Sequence, residues 1–278
     1  ELMVVVYLTN GFGNNIFQCV AGKLLSIYHN QDLVVIPPSD DYYANSDLKS
    51  LNIELSNDVD FKNCVDVNDF NYLTFFNESH DKTNFKLKGY FEDFRFYYNN
   101  IDLIKSWFPK VESRNDDDLV IHFRTGDRLL YKNEFDSKPK VESYLKAIDN
   151  FDFKRLHIVT DMKKWDYITT DELSSMKFHK NVPKNESVDS QLSVDYFNSF
   201  IDGFSKYNPI MKNRTIVEDF NFIRTFKNIL FQHGTLGWWA AVLSDATKVG
   251  VYGPWRSWKG DKNKNLSEIN LEGWFKWE

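Results

Sequence analysis

The sequence predicts an α/β protein made of two successive Rossmann-like halves, and three observations lead there. Short apolar strand patterns alternate with amphipathic helix patterns along most of the 278 residues. Met3 to Leu8 is an unbroken apolar, largely β-branched run, the pattern of a central parallel strand covered on both faces. The polar stretch from Pro109 to Asp118 interrupts the alternation, which then starts afresh, so a chain of this length reads as two medium domains.

The elements follow in order. The first strand breaks at Thr9-Asn10-Gly11-Phe12-Gly13-Asn14-Asn15, and a helix with Ile16, Phe17, Val20, Ala21, Leu24, Leu25 and Tyr28 on one face comes next. Strand, glycine-rich turn and helix is how a nucleotide-binding α/β unit begins. Leu33 to Ile36 is a second short strand, stopped by Pro37-Pro38. Residues 40 to 85 are Asn/Asp-rich with scattered aromatics (Phe61, Phe70, Tyr72, Phe75, Phe76), which predicts loops and short elements. A strand is expected over Phe85 to Phe91 and a helix over Asp102 to Phe108. Asp116-Asp117-Asp118 has the look of a metal-binding Asp-x-Asp, but a solvated turn before a strand is the preferred reading.

In the second half, Leu119 to Phe123 is a strand, Val141 to Ile148 a helix, and Leu156 to Thr160 a strand ending at Asp161. A helix is expected around Ser193 to Phe204 and another over Glu218 to Lys227. Ile229 to Phe231 is a short buried strand, followed by the turn Gln232-His233-Gly234-Thr235-Leu236-Gly237 and a helix from Trp238 to Ser244. Lys248 to Tyr252 is a last strand, closed by Gly253-Pro254.

Composition narrows the function classes. A net charge of -6 spread along the chain argues against nucleic-acid binding, which needs a basic patch. Aromatics are abundant at 17%, a surplus that core packing explains before any ligand does. The two cysteines, Cys19 and Cys64, form no disulfide framework or metal spacing and are expected to be buried thiols. His80, His179 and His233 lack partners at metal-ligand spacing, so no metal site is expected. No apolar run approaches ~18 residues, so no membrane span is expected. Localisation is open: a soluble cytoplasmic protein is favoured, with a Golgi-lumen or membrane-tethered parent as the alternative, the chain starting at Glu1.

The densest chemistry lies at the end of the strand Val120 to Phe123, in His122-x-Arg124-x-Gly126-Asp127. An arginine fork suits phosphate oxygens, a glycine allows close backbone approach, and a carboxylate can orient the arginine or accept a proton. Taken alone, a structural Arg–Asp pair is an equally good reading. The turns at Gly11 to Asn15 and Gly234 to Gly237 share the setting of a strand end leading into a helix, where backbone amides favour anions. Together with Arg124 they suggest a diphosphate cradle.

The same segments resemble the α-1,2-fucosyltransferases of glycosyltransferase family 11. Gly11-Phe12-Gly13-Asn14-Asn15-Ile16-Phe17-Gln18 is similar to that family's Gly-x-Gly-Asn-Gln-(Leu/Met)-Phe-Gln opening, and Leu87-Lys88-Gly89-Tyr90-Phe91-Glu92 to its Gly-Tyr-Phe-Gln segment. His122-x-Arg124-x-Gly126-Asp127 matches its His-x-Arg-x-Gly-Asp element, Ile158-Val159-Thr160-Asp161 its strand ending in Ser-Asp, and Thr235-Leu236-Gly237-Trp238-Trp239-Ala240-Ala241-Val242-Leu243 its Trp-Trp-Ala-Ala block. The five segments keep the family's order over residues 4 to 254, a pattern specific for the wider superfamily that includes α-1,6- and protein O-fucosyltransferases.

The resemblance implies a GT-B fold, two facing Rossmann-like domains with an interdomain cleft. On that scheme 1–112 is the acceptor side, 113–255 holds the nucleotide-sugar donor, and 256–278 packs back on the first domain, pinned by the series Trp255, Trp258, Trp274 and Trp277. It implies an inverting, metal-independent transfer with no cofactor, from GDP-L-fucose to a carbohydrate acceptor. Arg124 would hold the leaving β-phosphate, with His122, Gly126, Asp161, Gly13, Asn14, Asn15, Gly234, Thr235, Leu236 and Gly237 around the donor. Asp127 and Glu92 are the candidate bases, Glu92 reading equally as a surface carboxylate. Asn15, Thr125, Glu92, Gly234 and Gly237 depart from the family pattern, which leaves two alternatives: another nucleotide sugar, or a catalytically silent nucleotide- or glycan-binding protein of the same fold.

Overall fold

The computed structural model describes residues 2–9, 11–57, 59–60, 62–77, 80, 82–132, 138–178, 182–253 and 266–278. Phe61, His179, Trp255 and Trp258, and the expected tail over 256–265, fall outside these residues. The chain divides into two compact units, the first running to Lys110 and including Leu266 to Ile269, the second comprising Val111 onward with Asn270 to Glu278. No helix among the described residues is long and apolar enough to cross a membrane.

The first unit holds a four-stranded parallel sheet in the order β2-β1-β4-β3. Its strands are β1 (Met3–Tyr7), β2 (Asp32–Ile36), β3 (Cys64–Val67) and β4 (Asn84–Leu87). Val4, Val5 and Val6 are fully or almost fully buried, as a central strand requires. Helix α1 (Phe12–His29) crosses from β1 to β2 and ends on Asn30 in the left-handed conformation. It starts at Phe12 rather than after Asn15, so Gly13 and both asparagines lie in its first turn. The 40–85 stretch yields α2 (Asn45–Ser50), edge strand β3 and a 3-10 helix (Tyr72–Phe76). The strand expected to reach Phe91 stops at Leu87, because Asp69 takes the backbone N–H groups of Tyr90 and Phe91 and turns the chain. Helix α3 (Ile101–Trp107) closes the unit. Of the two thiols only Cys19 is buried, its pKa pushed up to about 12 by burial; Cys64, on the edge strand, is exposed, contrary to expectation.

The second unit is a six-stranded parallel sheet in the order β10-β9-β8-β5-β6-β7. Strands β5 (Asn115–Phe123), β6 (Leu156–Thr160), β7 (Ile210–Met211), β8 (Phe226–Phe231), β9 (Lys248–Tyr252) and β10 (Trp274–Trp277) are joined by α4 (Val141–Ile148), α5 (Thr170–Ser175), α6 (Ser190–Phe204), α7 (Ile216–Ile223) and α8 (Thr235–Val242). Capping boxes start α5 and α7, with Thr169 and Glu172 at one and Thr215 and Glu218 at the other. Phe123, Tyr144, Phe197, Phe200 and Phe204 are all fully buried and form one ring cluster, which accounts for part of the aromatic surplus.

Two expectations are corrected in this unit. Asp116 to Asp118 lie in β5, not in a turn: Asp117 pairs with Lys154 at 2.6 Å, and Asp118 with Arg155 at 2.8 Å and His157 at 3.0 Å. Of the tail expected to join the first unit, Leu266 to Ile269 belong to it, but Trp274 and Trp277 belong to the second. Both lie in β10, parallel to β9, and the Trp277 ring packs at a tilt against Tyr144 and Tyr252.

Candidate functional site

In the second sheet the chain runs from β5 outward through β6 to β7, then returns to the other side of β5 with β8. The reversal makes β5/β8 the topological switch point, and ligands of open parallel sheets bind beyond the strand carboxyl ends there. The residues at those ends are Arg124 to Asp127 after β5 and Gln232 to Gly237 after β8, with Asp161 after the adjacent β6.

Arg124 is gripped from two sides. One guanidinium nitrogen donates to Asp161, and the other to Asp127 Oδ1 at 2.9 Å. Asp161 also accepts the Thr125 backbone N–H at 2.9 Å, so it braces both the loop and the arginine. Gly126 makes this possible: a Cβ there would stand 2.2 Å from an Asp161 carboxylate oxygen, on a backbone with φ +33. Asp127 is nearly buried and engaged by Arg124, a setting that suits orienting the guanidinium better than accepting a proton.

His122 is buried, and among the described residues its Nδ1 has no hydrogen-bond partner. It faces the amino end of α8. A Cβ on Gly237 would come within 2.5 Å of Nδ1, and one on Gly234 within 3.4 Å of Cε1. Burial, reinforced by the Arg124 and Lys163 cations, pushes the imidazole down to about 3, so it is neutral near pH 7. An unpaired buried ring nitrogen beside a helix start is able to meet a ligand hydroxyl or phosphate oxygen. Thr235 and Leu236 occupy the first turn of α8, half-buried.

Two residues that tie the site together carried no sequence signal of their own. Buried Gln232 donates to the Arg124 carbonyl and accepts from Tyr144 Oη at 2.7 Å, joining the two loops at the switch point. Lys163, left-handed at φ 55, pairs with Asp219 at 2.7 Å and adds positive charge near His122. Burial raises the Asp219 pKa despite that pairing. For Gln232 the only available hint was a polar residue directly after a buried strand, and Lys163 stands three residues past the end of its own.

The remaining candidates lie in the first unit, where the order β2-β1-β4-β3 puts the switch point between β1 and β4. Asn15, expected beside the donor, is held by the protein's own groups. It is fully buried, donates to Thr9 O at 2.6 Å and Gln18 Oε1 at 3.2 Å, and accepts from Tyr42 Oη at 2.9 Å. Gln18 in turn donates to Gly89 O at 2.8 Å, which brings the Gly11 and Gly89 turns together. Gly13 is buried and Asn14 half-buried in the first turn of α1. Glu92 is not a surface carboxylate: it is 8% exposed and follows Phe91, a buried residue at φ 54. Among the described residues no three His, Cys, Asp or Glu side chains converge as a metal site.

No protein-family model matches the chain, and comparison with curated proteins returns no match.

Proposed function

We propose that this chain is an inverting glycosyltransferase of the GT-B fold that moves L-fucose from GDP-L-fucose to a carbohydrate hydroxyl, its two units being the facing domains. The observation that carries the reading is the second unit's switch point, where an oriented arginine and a buried imidazole whose Nδ1 has no partner among the described residues stand beside a glycine-flanked helix start. These are the groups a diphosphate ester needs. In this reading the acceptor oxygen attacks the anomeric carbon from the face opposite the diphosphate. The C1–O bond breaks, and its electron pair leaves on the β-phosphate of GDP, where Arg124 and the α8 amides offset the growing charge. Asp127 and Asp161 keep the guanidinium in one orientation. The acceptor proton passes to a carboxylate, assigned to Glu92.

A second reading has its own support. Arg124 already touches two carboxylates, which offset its charge and favour a protein that binds a nucleotide or glycan without transfer. Calorimetric titration with GDP and UDP, followed by assay of GDP release from GDP-L-fucose, separates the readings. Tighter GDP binding together with nucleotide release supports transfer. Equal or tighter UDP binding removes the GDP assignment, and GDP binding without release favours the silent protein.

A further inference from the structure

We propose that Asp69, in the first unit, is a positioning residue for Glu92: it holds the turn after β4 in the shape that buries Glu92. That Glu92 takes the acceptor proton rests on the glycosyl-transfer reading. The turn leaves the carboxyl end of β4, which is next to β1 at the first unit's switch point. The β3/β4 register pairs Val67 with Leu87 and, carried on, sets Asp69 opposite Gly89. The ladder stops instead, and the Asp69 side chain folds over the turn. Only a glycine leaves it room: a Cβ on Gly89 would stand 2.2 Å from an Asp69 carboxylate oxygen.

One Asp69 oxygen accepts the Tyr90 N–H at 3.0 Å, and the other accepts the Phe91 N–H at 2.6 Å. The buried Tyr97 hydroxyl donates to the Phe91 carbonyl, and Gln18 donates to the Gly89 carbonyl at 2.8 Å. Held in this way, Phe91 takes φ 54, a left-handed conformation that bulky residues rarely adopt. Its ring is fully buried, with its centre 5.3 Å from that of Tyr72. A left-handed residue reverses the local course of the chain, and the next residue, Glu92, is nearly buried as a result. Backbone strain enforced by its surroundings, one residue from a candidate base, is the kind of strain that functional sites keep.

Asp69, Glu92 and Asp93 all lie close enough to Tyr97 for their charges to reach it, and they divide the work. Asp93 is taken by Arg95, whose Nε donates to its two oxygens at 2.9 and 3.0 Å. Asp69 is taken by the two backbone amides of the turn. That task needs a carboxylate, which accepts through both oxygens. An asparagine would set its NH₂ group against one of the two N–H groups and release that end of the turn.

The test uses the full chain as wild type, Asp69→Asn, Glu92→Gln and the double variant. Calorimetry gives GDP affinity, and GDP release from GDP-L-fucose, with water as the accepting hydroxyl, is followed against pH. Asp69→Asn should keep GDP affinity and lower kcat by about 10–100-fold, as a small displacement of a reacting group does. It should also move the acidic limb of the pH–rate profile, which reports the base. In the Glu92→Gln background the same substitution should cost nothing more, because Asp69 acts through Glu92. Tyr97→Phe removes the hold on the Phe91 carbonyl, should act in the same direction, and takes the place of Asp69→Asn if that variant does not fold. An unchanged kcat, an unmoved acidic limb, or a loss fully additive to that of Glu92→Gln overturns the positioning role. Full activity of Glu92→Gln removes the base assignment and the proposal with it, and leaves the donor reading standing. If the wild type releases no GDP, the transfer reading fails, and the carboxyl carbon-13 NMR signal of Glu92 decides the positioning alone: a displaced signal in Asp69→Asn supports it, and an unmoved one overturns it.

Discussion

Lowering the pH from 7 to 5 should destabilise this protein through His122 in particular. The imidazole is buried, feels the Arg124 and Lys163 cations, and has its pKa pushed down to about 3. In the unfolded chain it returns to ~6.5. Between those values the unfolded state binds a proton that the native state refuses, so stability falls as pH drops through ~6.5, at up to ~1.4 kcal/mol per pH unit. For this one group the loss from pH 7 to pH 5 is about 2 kcal/mol, or ~4–8 °C in melting temperature for a domain of this size. His157, also lowered by burial against the opposing pull of Asp118, adds a loss of the same sign. The assay is urea unfolding of the wild type and of His122→Gln at both pH values, comparing the two pH-dependent losses and not the absolute stabilities. The variant should lose about 2 kcal/mol less than the wild type. Parallel losses would refute the reasoning, because they require an imidazole that is solvated or already charged in the folded state.

Other outcomes follow from the same geometry. Arg124→Lys should fold normally yet lose roughly 10²–10³ in transfer rate, since an ammonium cannot span Asp127 and Asp161 and still meet an anion; near-normal turnover in a coupled GDP-release assay would remove the fork from the mechanism. Gly126→Ala, with its Cβ 2.2 Å from the Asp161 carboxylate, should destabilise by about 1–3 kcal/mol in urea titration, and an unchanged midpoint would mean that Asp161 does not brace this loop. Transfer should survive EDTA, because Arg124 supplies the charge a metal would otherwise bring; loss on chelation with recovery in Mn²⁺ or Mg²⁺ would point to an ion-dependent donor site.

The legible parts of the fold were those whose burial is uniform. β1 reads directly because Val4, Val5 and Val6 are covered on both faces, and the apolar part of β5 reads for the same reason. The edge strands do not read. Cys64 to Asp66 in β3 are exposed, and β10 is a half-exposed Trp-Phe-Lys-Trp segment whose pairing with β9 is a long-range contact. Helix starts were misplaced where helix-poor residues occupy the first turn: Gly13, Asn14 and Asn15 in α1, Thr235 and Gly237 in α8. Backbone position overrides propensity at both places, since the preceding strand end fixes where the chain can turn. At the site, the strand-end motif was visible but its division of labour was not. That Asp161 clamps Arg124, and that Gly126 exists to let it, depends on β5 and β6 being neighbours.

The two units solve one mechanical problem in the same way. A parallel sheet leaves two loops at its switch point with no backbone ladder between them, so their spacing must come from side chains. In the first unit Gln18 bridges Thr9, beyond β1, to Gly89, beyond β4. In the second, Gln232, beyond β8, reaches the carbonyl of Arg124, beyond β5. Both glutamines are buried, and both carry an acceptor and a donor that a single amide can engage at once. An unmatched amide in that position would cost about 1–3 kcal/mol, so each bridge is favoured only while its two loops stay at the right distance. The motifs that pointed to a ligand site are therefore partly devices for holding loops apart at a fixed width. Asn15 and Gln18 belong to the frame, as do Gly126, Asp161 and Gln232. His122 and Arg124, with the first turn of α8, are the groups that the frame of the second unit holds in place.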